Sequence, residues 1–201
     1  MPNWCSNSIT ISGPKDKIKA IWEEATAEGD HKGLLEALVP APENLFRGAL
    51  GAAEEAECKE KGIPNWYNWN INNWGTKWDV STEGLEFIED GDDAQITGWF
   101  DSAWSPPIEA YNNFLAENED CSLEAIYEEG GMDFAGIYDN GDDQGMDDIS
   151  EWCRSVIKGT CDLKDTPELF QKLDEELELI ENRREWIEED LEEEKNEEIA
   201  N

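Results

Sequence analysis

From Asn7 to Ser12 the chain alternates polar and apolar residues, with β-branched Ile9 and Ile11 on one side. That is the pattern of a half-buried strand. Gly13-Pro14 ends it, and Pro14 suits the first turn of a helix. Over about 15–28 the period lengthens, so that Ile18, Ile21, Trp22 and Ala25 share one helical stripe, with Gly29 as a stop. Residues 33–75 lose the pattern. Leu34, Leu35, Leu38 and Val39 are interrupted by Pro40 and Pro42, and the Ala- and Glu-rich stretch from Glu43 to Lys61 favours helix. This region reads as an insertion carrying one helix and a Trp-rich turn. Alternation resumes at Thr76–Ser81, where Trp78 and Val80 share a face. A turn or short extra strand follows at Leu85–Ile88, then a strong strand at Ala94–Trp104. Ser105-Pro106-Pro107 predicts a helix start with Ser105 as its cap, and Ile108, Tyr111, Phe114 and Leu115 continue at helical spacing. Cys121–Glu128 and Met132–Tyr138 read as strands joined by a hairpin at Gly130-Gly131.

This order predicts an α+β fold of the ferredoxin-like, split βαβ kind: an antiparallel sheet with two helices on one face and the other face open. Beyond it, Asp139–Asp148 reads as an acidic turn, Ile149–Ile157 as a segment packing on the body through Trp152 and Val156, and 159–165 as a linker. Thr166-Pro167 then opens one long helix. Its apolar positions Phe170, Leu173, Leu177, Ile180, Ile187 and Leu191 form a seam, with Arg184 where the next member should fall. Such a seam suits docking on a partner helix or a homo-oligomer through the C-terminal helix. The expected division is a ferredoxin-like domain over 1–160, with the insertion at 33–75, and an acidic C-terminal helix over 161–201.

Charge changes the picture most. The chain of 201 residues has 50 Asp and Glu against 15 Lys and Arg, a net charge of -35. The acids are spread along the body as well as the last helix. Such a surface repels phosphates and anionic membranes and attracts basic proteins. Direct nucleic-acid binding and membrane binding are therefore not expected. No signal peptide is evident, and the five Cys (Cys5, Cys58, Cys121, Cys153 and Cys161) form no CxxC pair. Together these predict reduced thiols and a cytoplasmic protein.

Several strings occur in a distinctive order: Met1-Pro2-Asn3-Trp4-Cys5-Ser6-Asn7, Leu38-Val39-Pro40-Ala41-Pro42, Asn73-Trp74-Gly75-Thr76-Lys77-Trp78-Asp79, Ala103-Trp104-Ser105-Pro106-Pro107, and Tyr127-Glu128-Glu129-Gly130-Gly131-Met132-Asp133-Phe134-Ala135-Gly136. Over about residues 1–140 the chain resembles the YubB/Api-type family of phage and plasmid proteins, whose domain is ferredoxin-like. The resemblance implies that fold and a mobile-element origin. It implies no activity and no catalytic residues.

The residues themselves suggest little catalysis. His31 is the single His, in a polar turn without a partner for acid–base work or metal ligation. GxSxG and P-loop patterns are absent. Asn140 to Glu151 traces a calcium loop, but Asn replaces the first Asp and flanking helices are not evident. No enzyme activity, cofactor, metal or catalytic residue is expected.

The ten Trp invite three readings: core, base-stacking platform or protein-binding patch. Trp78, Trp99 and Trp104, on predicted strands or their ends, are assigned to the core. A stacking platform needs Lys and Arg, and Lys77 is nearly alone. Trp66, Tyr67 and Trp69, on the insertion, are the expected partner-binding aromatics. With them are placed the tail carboxylates Glu175, Glu178, Glu181, Glu185, Glu188, Glu189, Glu192 and Glu193. The expected function is inhibition of a host nucleic-acid-handling or defence protein, through an acidic surface imitating DNA. The alternatives are a small-molecule or metal-binding regulator or enzyme using the sheet face, with the Asn-rich segment and Asp101 or Asp133 as polar groups, or an acidic accessory protein without mimicry.

Overall fold

The computed structural model describes residues 3–29 and 32–200, with side chains described through Asn196. His31, expected on an exposed turn, lies outside the described residues.

Strand β1 (Trp4–Pro14) leads into helix α1 (Lys15–Ala25). Three helices follow: α2 (Leu34–Leu38), α3 (Ala52–Lys61) and α4 (Trp66–Asn73). Then come β2 (Leu85–Asp90), β3 (Asp93–Ala103), α5 (Ile108–Glu117), β4 (Ser122–Glu129), β5 (Phe134–Asp139) and β6 (Asp142–Asp147). The chain ends in α6 (Ile149–Ile157), a short 3-10 turn, α7 (Glu168–Leu177) and α8 (Leu179–Ala200). The strands form one six-stranded antiparallel sheet, ordered β2-β3-β1-β4-β5-β6. Its first four positions, with α1 and α5, are the ferredoxin-like core; β5 and β6 extend it.

Period-two alternation sorts side chains between two apolar clusters on opposite faces. Ile9, Ile11, Ile96, Phe100, Leu123, Ala125 and Tyr138 face α1, α2 and α5, where Ile18, Leu34, Leu35, Tyr111 and Phe114 close the main core. Ala135, Ile126 and Ile137 point the other way, into a second cluster with Ile149, Cys153, Phe170, Leu173, Leu179 and Ile187. Strand β5 is therefore apolar on both faces, which explains its nearly unbroken Phe-Ala-Gly-Ile-Tyr run. The far face of β1 carries Ser6, Ser8 and Thr10 and stays uncovered by this cluster.

Several sequence expectations change. The Trp-rich segment is helix α4, not a turn, and the insertion holds three helices rather than one. Asn65 caps α4 by accepting the Asn68 N–H at 3.0 Å. Thr76–Ser81 is not a strand. Its polar groups are committed elsewhere, as described below, and β2 at Leu85–Asp90 fills the strand position instead. Ser105 does not cap α5; Pro107 occupies that place, and the Ser105 hydroxyl turns back to the Gly75 carbonyl at 2.7 Å. Residues 139–148 are not simply a turn. Asn140 and Gly141 adopt φ of 48° and 99° and pair Asp139 with Asp142, a two-residue hairpin leading into β6. Along an extended strand, side chains alternate and do not converge as a calcium loop requires. Among the described residues no group of three His, Cys, Asp or Glu is arranged to hold a metal.

The C-terminal segment is two helices, broken at Glu178, whose φ is 50°. Asp174 accepts the Ile180 N–H at 2.8 Å and so caps α8. Helix α7 packs on β5 and β6, and α8 packs on α6. Of the apolar seam, Phe170, Leu173, Ile180, Ile187 and Leu191 are buried within the chain and Leu177 is half-buried, so most of the seam packs into this chain's own second cluster. Two basic side chains reinforce the packing: Arg183 of α8 is buried against Glu128 of β4, and Arg154 of α6 pairs with Asp190 and Glu194. Both edge strands are acidic, which discourages edge-to-edge pairing. No helix among the described residues is long and apolar enough to cross a membrane.

Candidate functional site

The distinctive strings, far apart in sequence, meet at one end of the sheet. Trp74 is buried, with its indole N–H donating to the Val39 carbonyl at 3.0 Å. Gly75, at φ 83°, lies where a Cβ would stand 3.2 Å from the Glu109 nitrogen, so only glycine allows the first turn of α5 this close. The Thr76 hydroxyl donates to the Ala103 carbonyl at 2.9 Å. The Ala110 N–H donates to the Trp74 carbonyl at 3.2 Å, and the Asn113 amide to the Asn73 carbonyl at 3.0 Å. Trp104, at a positive φ of 74°, donates its backbone N–H to the Asn3 carbonyl at 3.0 Å. Glu129 accepts the N–H groups of Gly131 and Met132, holding the β4–β5 turn beside Asn3. These contacts commit the strings to holding the fold together.

Asp79 is the clearest case. Its carboxylate accepts the N–H groups of Leu35 and Glu36 at 2.8 and 3.0 Å and of Val80 at 2.7 Å, capping α2 from a distant segment. Burial raises its pKa above the usual carboxylate value, and the three N–H donors only partly oppose this. The sign follows: stability from the protonated form is full below the unfolded value of 3.8 and declines as pH rises through the raised folded value. Asp79→Ala, which orphans these donors at every pH, should cost about 1–3 kcal/mol. Urea unfolding measures it; a loss below ~0.5 kcal/mol would mean that water replaces the carboxylate.

Beneath this corner lies a buried polar patch. The Asn7 amide donates to the Cys5 carbonyl at 2.8 Å and to the Ser102 hydroxyl at 2.9 Å, while the Asn7 carbonyl oxygen and the Tyr111 hydroxyl have no hydrogen-bond partner. Burial pushes the Cys5 and Cys153 thiols up to about 12, so neither is a ready nucleophile near neutral pH.

The predicted aromatics divide. Tyr67 is exposed and Trp66 half-exposed, in edge contact at 5.7 Å, with the Trp66 indole donating to the Gly48 carbonyl. Trp69 instead turns inward onto Trp74 at 5.3 Å and packs on the main core. The assignment of Trp78, Trp99 and Trp104 to the core is corrected: they are 38%, 60% and 47% exposed. Trp99 follows Gly98 and precedes Phe100 on β3; with Ile96 and Phe100 inward, alternation sends Trp99 outward. That signal is present in the sequence. Trp104 lies just past the end of β3. Trp78 is exposed because its segment is irregular: Val80 alone enters the core. Trp78 packs against the exposed Trp4 at 6.1 Å, and Lys77 lies 4.5 Å from the Trp78 ring centre.

The predicted carboxylates are all exposed. Glu175 lies on α7 and Glu178 at the break, while Glu181, Glu185, Glu188, Glu189 and Glu192 form one stripe on α8 opposite Ile187 and Leu191. Arg184 joins this stripe, paired with Glu181 at 2.9 Å and Glu188 at 3.6 Å, and Glu193 lies on its flank. The two groups of predicted residues belong to different elements, α4 and α7–α8.

The other polar residues considered above are also accounted for. Asp133 accepts the Ser150 N–H and hydroxyl at the start of α6. Asn70 and Asn73 donate to the backbone of Lys77 and Trp69. A hollow of about 370 Å³ on the sheet face, lined by Ser8, Thr10, Glu124 and Glu176 among others, contains no Lys, His or Cys.

The fold and this corner define a ferredoxin-like domain of a particular kind. A family described as "Ferredoxin-like domain in Api92-like protein" matches residues 74–176. The chain belongs to this Api92-like family. The match begins at Trp74 and runs beyond residue 140 through β6 and α6 into α7, leaving α8 outside. Among solved structures, the crystal structure of protein api92 from Yersinia pseudotuberculosis is similar over 73% of this chain and 98% of that one, at 12% identity and a TM-score of 0.37. No curated protein matches.

Proposed function

We propose that this protein is a non-catalytic, mobile-element protein acting in the host cytoplasm. It inhibits a host nucleic-acid-handling or defence protein by occupying that protein's basic surface. The observation that carries the reading is the carboxylate stripe of α8. From Glu181 to Glu192 it spans about 16 Å at ~1.5 Å per residue, roughly one charge per 3–4 Å, against about 3.4 Å between phosphates along one DNA strand. The helix is held by its buried face, so the stripe is presented in a fixed line and need not be ordered on binding. Arg184 lowers the stripe's net charge without interrupting it. Nucleic acid itself is repelled by the same charge.

The test is titration against candidate nucleases, with duplex DNA as competitor and a salt series. Binding should weaken with salt and be displaced by DNA. The combined variant Glu185→Gln, Glu188→Gln, Glu189→Gln and Glu192→Gln should weaken it by about tenfold or more. Affinity indifferent to salt, DNA and this variant would overturn the mimicry.

A further inference from the structure

A second surface, away from α8, combines exposed rings and carboxylates. Trp4 and Trp99 project from the polar face of β1 and β3, 52% and 60% exposed. They line an open hollow of about 540 Å³ whose wall includes Asp79, Glu83 and Asp101 and no Lys or Arg. Two large indoles left in water beside the exposed Glu83 and Asp101 cost the fold apolar exposure that core packing would recover. The face of an indole attracts cations, and carboxylates at its rim supply the matching charge. The chain already shows this chemistry nearby: its own Lys77 ammonium sits over Trp78, which packs on Trp4.

Asp79 also forms part of an adjoining hollow of about 220 Å³, lined by Glu36, Trp66, Asn70, Trp74 and Trp78, together with Arg47. One guanidinium nitrogen of Arg47 donates to both carboxylate oxygens of Glu36 at 3.2 and 3.3 Å, so a guanidinium already fits among these acids and rings. The Asn70 carbonyl oxygen there is buried without a hydrogen-bond partner.

We propose that this face docks a basic segment of a protein partner, with one arginine side chain seated between Trp4 and Trp99 against Asp101 and Glu83. A guanidinium stacks on indole and offers a planar fork to carboxylates, which a lysine ammonium does not. Nucleic acid is the wrong charge for this hollow, and a purely apolar ligand would strip water from the exposed Glu83 and Asp101 carboxylates without repaying them. The inference deepens the binding function above and rests on it for the partner being a basic protein.

The probe is an end-blocked peptide with three Arg separated by Gly, added to the full chain at about 0.15 M salt, where long-range attraction is screened. Controls are the same peptide with citrulline for arginine and free N-acetylarginine amide. Indole N–H signals are followed by NMR. The Trp4 and Trp99 signals should move, while Trp22 and Trp152, packed in the two cores, and Trp186, on α8, stay. Trp99→Ala should weaken the peptide by about twofold to thirtyfold, and Glu83→Gln with Asp101→Asn, which preserve shape, should also weaken it. The citrulline peptide should leave the signals unmoved. Equal binding of the citrulline peptide, shifts confined to Trp186, or an unchanged affinity in both variants overturns the proposal. Free N-acetylarginine amide binding as tightly as the peptide overturns it too, by making the occupant a small cation. The α8 glutamine variant separates the two readings. If it leaves a basic partner's affinity intact while the Trp4 and Trp99 shifts persist, the α8 reading fails and this site stands. If those shifts are absent while the α8 variant loses the partner, this site fails and the α8 reading stands.

Discussion

Arg183→Ala should destabilise the protein by about 3 kcal/mol, the lower part of the range for breaking a buried ion pair. Arg183 leaves α8 and reaches Glu128 on β4; their side chains are 9% and 23% exposed. Removing the guanidinium strands a carboxylate between helix and sheet, next to the Cys153 thiol, which feels both groups. The penalty is the stranded charge rather than the lost attraction. The double variant Arg183→Met with Glu128→Gln should therefore recover most of the loss, because neither side chain then carries an unpaired charge. Urea unfolding of the three proteins decides it. A loss under ~1 kcal/mol in Arg183→Ala would class the pair with screened surface ion pairs.

Phe170→Ala should cost about 3–5 kcal/mol, as for other fully buried aromatic side chains. Phe170 is the first apolar anchor of α7, wholly buried, with Trp152 of α6 at 6.3 Å. If α7 and α8 were an appendage, the cost would fall on their own docking and leave unfolding of the sheet unchanged. They share a cluster with Ala135, Ile126 and Ile137 of the sheet, so the whole domain should lose stability. Far-ultraviolet and tryptophan signals should move to lower urea together. Separate transitions, with the sheet's midpoint unmoved, would refute the shared core.

The ferredoxin-like framework could be read in advance because its elements carry strong local periods. Ile9 and Ile11, then Ile18, Ile21 and Trp22, then Tyr111 and Phe114 mark strand, helix and helix. The Asn140-Gly141 hairpin was also written in the chain, but β6 has six residues without apolar alternation, because an edge strand that meets the second cluster only through Met146 needs none. Thr76–Ser81 misleads for the opposite reason. Its alternation is real, yet the Asp79 carboxylate is committed to capping α2 and Thr76 is tied to Ala103.

The candidate surfaces divide in the same way. The acidic stripe depends only on helical spacing and on Ile187 and Leu191 fixing which side faces inward, so its residues were available from the chain. The placing of Trp4, Trp99, Glu83 and Asp101 around one hollow was not. Those residues come from the first strand, the third strand and the loop between α4 and β2, and the register of β1 on β3, setting Trp4 opposite Ala103 and Ser6 opposite Asp101, is what puts them around one hollow. By itself the sequence determined the elements, the fold class and a large negative charge, because these follow from local period and composition. Tertiary structure alone decided which tryptophans face water and that the acidic tail is a wall of the second core, because both depend on which distant segments cover each face of the sheet.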